Sequence, residues 1–333
     1  MTDADLHEML LRAAGNAADD LVATARDELA AGRPAETARI VAAGTGSGWF
    51  RPTDADLSLL STLDPAIDIA ALRAVPDLSE DWEFAPAVPE AGAPTLIALD
   101  LTTGGAALDG PDAGAVRAAA AVDGAVALWR AWRAPTVLTP EITRVYLLAV
   151  TAAPAGMPAI TAHLHAALRA AGVGDPQVEV FRDGGEPPAY QRLARGRSAL
   201  LWAGVPAVPV ALARDFDGED PPFEPGHERL GPEEAGRVLG FLAAGESLLA
   251  TTAREHDVLD GTLGPVVPQN FRTDGRWIWT DVSGYYLRTY GLAPDPELLD
   301  HIRRCGYRAP VPDDVARHRA LVELFRPDPA TAQ

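Results

Sequence analysis

Residues 145–150 (VYLLAV), 158–171 (PAITAHLHAALRAA) and 177–181 (QVEVF) decide the fold class of this chain. The first is an unbroken apolar run of the length of a buried strand. The second carries Ile160, Leu164 and Leu168 on one stripe at helical spacing, and the third alternates as a strand does. In order they make a β-α-β unit, which predicts an α/β or α+β protein with a central mixed sheet. Outward from this unit, residues 95–101 (TLIALDL) read as a further strand and residues 116–132 as an alanine-rich helix. Residues 190–202 read as a helix and residues 207–213 as a strand extending the same sheet.

The first 48 residues read as short helices closed by glycines: Thr2 caps one ending near Gly15, residues 17–31 stop at Gly32, and Pro34 opens a third that runs to Gly44. The pentapeptide TDADL occurs at residues 2–6 and again at 53–57. Each copy sets a capping Thr or Asp before a leucine-rich run, so the repetition reads as recurring helix caps rather than a duplicated unit. Residues 76–94, with four prolines and several acids, read as a connector. A second acidic loop covers residues 214–231 (RDFDGEDPPFEPGHERLG) and precedes a helix opened by Pro232. Residues 270–280 (NFRTDGRWIWT) signal a hairpin around Asp274-Gly275, followed by helices over 282–290, 296–305 and 313–325. The expected organisation is a helical region over 1–75, an α/β domain over 95–213 and a hairpin-plus-helices region over 232–327.

Composition excludes more than it identifies. The chain has 333 residues, 28 of them basic and 47 acidic, for a formal charge of −19 and a pI near 4.7. All 28 basic residues are arginine. Without lysine there is no P-loop, no kinase strand lysine and no Schiff-base chemistry. A strongly acidic chain is also a poor ligand for nucleic acid and a better one for a basic protein. The lone cysteine, Cys305, permits no intramolecular disulfide. The first residues carry acids where a signal peptide has a basic region, and no apolar run reaches the roughly 18 residues of a membrane helix, so a cytoplasmic protein without membrane contact is expected.

No catalytic constellation is complete in the sequence. Gly44-Thr-Gly-Ser-Gly48 follows a helix rather than a strand, which fits a helix end and not a dinucleotide loop. His163 and His165, two apart on a helix, face apart. With one cysteine and no H-E-x-x-H pattern, no metal site and no cofactor are expected. Cys305 falls in line with Leu298 and Ile302 at a helix C-terminus, where the dipole opposes thiolate formation. His256 and Asp257, with Asp260 nearby, form the best titratable cluster, and a helix-end cap is the simpler reading of it. The densest chemistry is aromatic: Phe271, Trp277, Trp279, Tyr285, Tyr286 and Tyr290 fall within 20 residues, interleaved with Arg272, Asp274, Arg276 and Asp281. Such a mixture suits either a protein-binding hot spot or a small aromatic core.

Residues 271–302 (FRTDGRWIWTDVSGYYLRTYGLAPDPELLDHI) resemble the C-terminal part of uncharacterised actinobacterial proteins, some of which resemble immunity or accessory proteins of secreted toxins. A fainter likeness covers 175–202. The resemblance implies a non-enzymatic, partner-binding role and carries over no catalytic residue. The leading expectation is therefore an acidic protein-binding module of the immunity or adaptor type that occludes a basic partner. Trp277, Trp279, Tyr285, Tyr286, Arg272, Arg276 and Asp274 would anchor it, while the carboxylates of residues 214–228, Asp257 and Asp260 steer the approach. Two alternatives stand beside it: a metal-dependent hydrolase or transferase using His256, Asp257 and Asp260 with Arg272, and a structural subunit of a larger complex.

Overall fold

A computed structural model describes residues 2–45, 50–74, 81–88, 96–103, 105, 107–135, 141–214 and 226–326. The chain divides into two units, Met1–Ala207 and Val208–Gln333. It is an α/β chain with mixed sheets, as the β-α-β reading requires. Most of the connector at 76–94, of the acidic loop at 214–228 and of the glycine-rich 44–48 lies outside the described residues.

The first unit opens with helices α1 (Thr2–Ala13), α2 (Asp19–Ala30), α3 (Pro34–Thr45), α4 (Asp54–Leu63) and α5 (Ile69–Arg73). Their apolar faces meet in one cluster that includes Leu6, Met9, Leu10, Leu29, Val41, Leu57 and Leu60. Behind them come β1 (Phe84–Ala85), β2 (Leu99–Asp100), α6 (Gly110–Ala120), β3 (Ala125–Arg133), β4 (Thr143–Val150), α7 (Met157–Ala170), β5 (Gln177–Arg182), α8 (Ala189–Gly196) and β6 (Ala199–Ala203). The sheet order is β2-β6-β3-β4-β5, with β1 also paired to β3. Strands β4 and β5 are parallel across α7, whereas β3 runs antiparallel to both β4 and β6. Every residue from Val145 to Val150 is buried. One face of β4 (Tyr146, Leu148, Val150) packs with Leu164 and Leu168 of α7 and the alanines of α6. The other face is covered by α8.

Strand β5 is a sheet edge, and the helical layer covers it. The His7 ring donates from Nε2 to the Val180 carbonyl at 2.8 Å, and Gln177 reaches the Asp19 carbonyl at 3.0 Å. These side chains stand in for a missing neighbouring strand. Buried charge ties the layers together: Arg26 of α2 meets Glu179 of β5 at 2.7 Å, and Gln191 of α8 donates to the same carboxylate at 2.8 Å and to the Leu11 carbonyl at 2.8 Å. Arg133 forks onto Asp19 at 3.1 and 2.6 Å and donates to Tyr190 Oη at 3.1 Å. Gly15 has φ +76°, and a Cβ there would lie 2.3 Å from the Tyr190 ring, so both the backbone and the close approach demand glycine.

Three sequence expectations are corrected here. Residues 116–132 are not one helix: α6 ends at Ala120, Gly124 takes φ +77°, and AVALWRAWR becomes β3. Residues 190–202 likewise split into α8 and β6. A short apolar run has no periodicity of its own to separate strand from helix, and pairing with neighbours decided both cases. Residues 207–213 supply only β7 (Ala211–Leu212), which pairs in the second unit and does not extend the first sheet.

The second unit continues with α9 (Pro232–Ala244), β8 (Glu246–Leu249), β9 (Arg254–His256), β10 (Pro265–Pro268), β11 (Phe271–Thr273), β12 (Trp277–Thr280), α10 (Asp281–Tyr290), α11 (Pro296–Arg304) and α12 (Asp314–Leu324). A four-stranded sheet has the order β7-β12-β11-β8, and β9 with β10 forms a separate two-stranded ribbon. Val238, Phe241 and Leu242 of α9, Trp279, Leu287, Leu298 and Ile302 make the unit's core. No described helix is long and apolar enough to cross a membrane.

Candidate functional site

The Asp274-Gly275 hairpin forms as expected. Asp274 Oδ1 accepts the backbone N–H of Arg276 at 3.0 Å and of Trp277 at 2.9 Å, while Gly275 takes φ +86°. The aromatic docking surface expected beside it does not form. Trp279 is 1% exposed, packs against Phe241 with ring centroids 5.7 Å apart, and donates its indole N–H to the Leu242 carbonyl at 3.1 Å. Tyr286 is equally buried, its hydroxyl accepting the Val258 N–H at 3.0 Å. Asp274 is buried, Trp277 and Tyr285 are half-buried, and Arg272 is held by Asp281 at 2.6 Å and the Gly245 carbonyl at 3.1 Å. Of the seven residues, Arg276 alone is exposed. A small sheet has few other large side chains to bury, and each ring removes about 150–250 Å² from water, so the rings went inward.

The hydrolase cluster is likewise dispersed. Both oxygens of Asp257 are filled: Oδ1 accepts the N–H groups of Leu259 (2.8 Å) and Asp260 (3.2 Å), and Oδ2 accepts the hydroxyls of Tyr285 and Tyr290, each at 2.7 Å. Burial opposes charge on this carboxyl, but the Tyr290 and Tyr285 hydroxyls and the two backbone donors outweigh it and hold its pKa below the usual carboxylate value. Asp260 accepts from Thr262, His256 is exposed on β9, and Arg272 is taken up by Asp281. Asp257 is a structural node between ribbon and helix, and the three residues do not converge as metal ligands.

The two TDADL copies meet instead. Asp5, Glu8 and Arg12 of α1 face Thr53, Ala55, Asp56 and Leu59 of α4 across an open groove of about 510 Å³. Thr53 and Asp56 form a capping box at the start of α4. Arg12 reaches across to Asp56 at 2.5 Å. Asp5 and Glu8 remain exposed, so three carboxylates stand against one guanidinium. The repeat is visible in the sequence, but that its copies share a surface is not.

A second convergence is also hidden in the sequence. Asp274 Oδ2 lies 2.5 Å from His301 Nε2, and Cys305 Sγ lies 3.6 Å from the same nitrogen and 4.0 Å from Nδ1. Among the described residues this is the one set of three such side chains whose ligand atoms all lie within 4.8 Å of one another. The arrangement is not a nucleophile triad, because aspartate and sulfur approach the same ring nitrogen. Burial and the adjacent Asp274 charge also push the Cys305 thiol pKa up. The one advance signal was the i, i+4 spacing of His301 and Cys305 on a helix. Comparison with protein-family models, curated proteins and solved structures found no match to this chain.

Proposed function

We propose that this chain is a non-enzymatic acidic binding module, of the immunity or adaptor kind, that captures and occludes a basic segment of a partner protein. The observation that carries the reading is the α1/α4 groove, where Asp5 and Glu8 stand exposed beside the Arg12–Asp56 pair. An arginine- or lysine-bearing helix or strand suits it: the apolar stem lies along Leu59 and Ala55, and the charged head meets the free carboxylates. The net charge of −19 acts beyond the groove by steering a basic partner toward the molecule, which raises the association rate more than the final affinity. The anchoring role expected of the tryptophans passes to this groove, since Trp279 is buried and Trp277 is half-buried beside His301.

The test uses the full chain and a fluorescent arginine-rich peptide followed by stopped-flow anisotropy. Association should slow steeply as salt rises, and the Asp5→Asn/Glu8→Gln double variant should bind roughly tenfold more weakly, about 1.4 kcal/mol. Binding that is indifferent to salt, or equal in the double variant, rejects the proposal.

A further inference from the structure

We infer that Asp274, His301 and Cys305 form a binding site for a single divalent ion of borderline softness, zinc above all, with one coordination position left to water or to a donor from another molecule. The donor set itself points to this class of ion: a carboxylate, an imidazole and a thiolate suit zinc, whereas magnesium and calcium take oxygen ligands almost exclusively.

Local structure explains why the three side chains meet. His301 and Cys305 are four residues apart, the spacing that sets two side chains one above the other at the end of α11. Asp274 comes from the hairpin turn between β11 and β12. Its Oδ1 is fixed by the N–H groups of Arg276 and Trp277, which leaves Oδ2 directed at His301. A carboxylate held through one oxygen and presented through the other is oriented as metal-bound carboxylates are. The His301 ring is held in turn by Phe241, edge-on with centroids 6.0 Å apart, and by Trp277 at 6.2 Å.

The distances suit the ion. Tetrahedral zinc with bonds of about 2.0 Å to O and N and about 2.3 Å to S places neighbouring donors roughly 3.3–3.6 Å apart. The Sγ to Nε2 separation of 3.6 Å already meets this. The Oδ2 to Nε2 separation of 2.5 Å is that of a short hydrogen bond, and an ion in place of the hydrogen opens it by roughly 0.8 Å. Asp274 is fully buried at its side chain while His301 keeps 13% exposure, so an ion can enter from the histidine and cysteine side.

Because Cys305 is the only cysteine, any thiolate signal belongs to it. The reduced full-length chain is titrated with cobalt(II) and zinc(II). The expected results are saturable one-to-one binding, a sulfur-to-cobalt charge-transfer band that zinc abolishes, and alkylation of Cys305 slowed roughly tenfold by zinc and restored by chelation. His301→Gln should lose the band. Alkylation that zinc does not slow in the wild-type chain overturns the inference without reliance on any variant. A charge-transfer band that persists in Cys305→Ser overturns it as well, and so does zinc binding of equal affinity in wild type, Cys305→Ser and His301→Gln, since that is what scattered surface acids would give.

Discussion

Acidification from about pH 7 to about pH 5 should cost the first unit about 2 kcal/mol through one side chain, His7. The ring is 2% exposed, donates from Nε2 to the carbonyl of edge-strand residue Val180, and has no partner for Nδ1. Burial pushes its pKa from 6.5 down to about 4, against a smaller upward pull from the Val180 carbonyl and with Arg26 adding to the fall. A lowered folded pKa means that the unfolded chain takes up its proton first as the pH drops. The contribution of neutral His7 is therefore complete above about pH 6.5 and is lost progressively down to about pH 4. His165, buried on α7 and bonded through Nδ1 to Asp27 at 2.8 Å, is lowered by burial despite that bond and adds in the same direction. Carboxylates titrate mostly below this window, so histidines dominate it. The assay is urea denaturation of wild type and His7→Gln at stepped pH, in which the difference between the two cancels contributions from the second unit. The stability gap should narrow by about 2 kcal/mol between the two pH limits, because the variant shares the His165 contribution and lacks only that of His7. Parallel stability curves would refute the reasoning.

Two further outcomes follow from packing. Arg26→Ala leaves the Glu179 carboxylate buried without its cation and should cost about 3–5 kcal/mol, whereas an Arg26→Met/Glu179→Leu pair should recover most of that; thermal unfolding of the single and double variants compares them. At Gly245 a Cβ would sit 2.2 Å from the Trp279 ring, which is walled in by Phe241 and cannot yield, so Gly245→Ala should cost about 1–3 kcal/mol and alter the near-ultraviolet dichroism of Trp279. Wild-type stability in the Gly245→Ala variant would mean that the ring has room.

Periodicity alone was enough for the β-α-β unit, the helical N-terminus and the Asp-Gly hairpin, because each rests on contacts within a few residues: a stripe at helical spacing, a cap, a glycine at positive φ. The same local signals failed at AVALWRAWR and ALLWA, where strand identity came from pairing with chain tens of residues away. Burial direction was harder still. WIWT has one reading as a docking surface and another as a core, and the choice depended on whether Phe241 and Leu242 would lie beneath Trp279. The net charge, the absence of lysine and the single thiol are properties of the sequence alone, and they exclude whole chemistries without reference to the fold. Which carboxylates face one another across the α1/α4 groove, and that Asp274 meets His301 and Cys305, belong to the tertiary structure. Those groups are 27 or more residues apart in the chain for all but the helical pair, and only the packing of separate elements brings them within bonding distance.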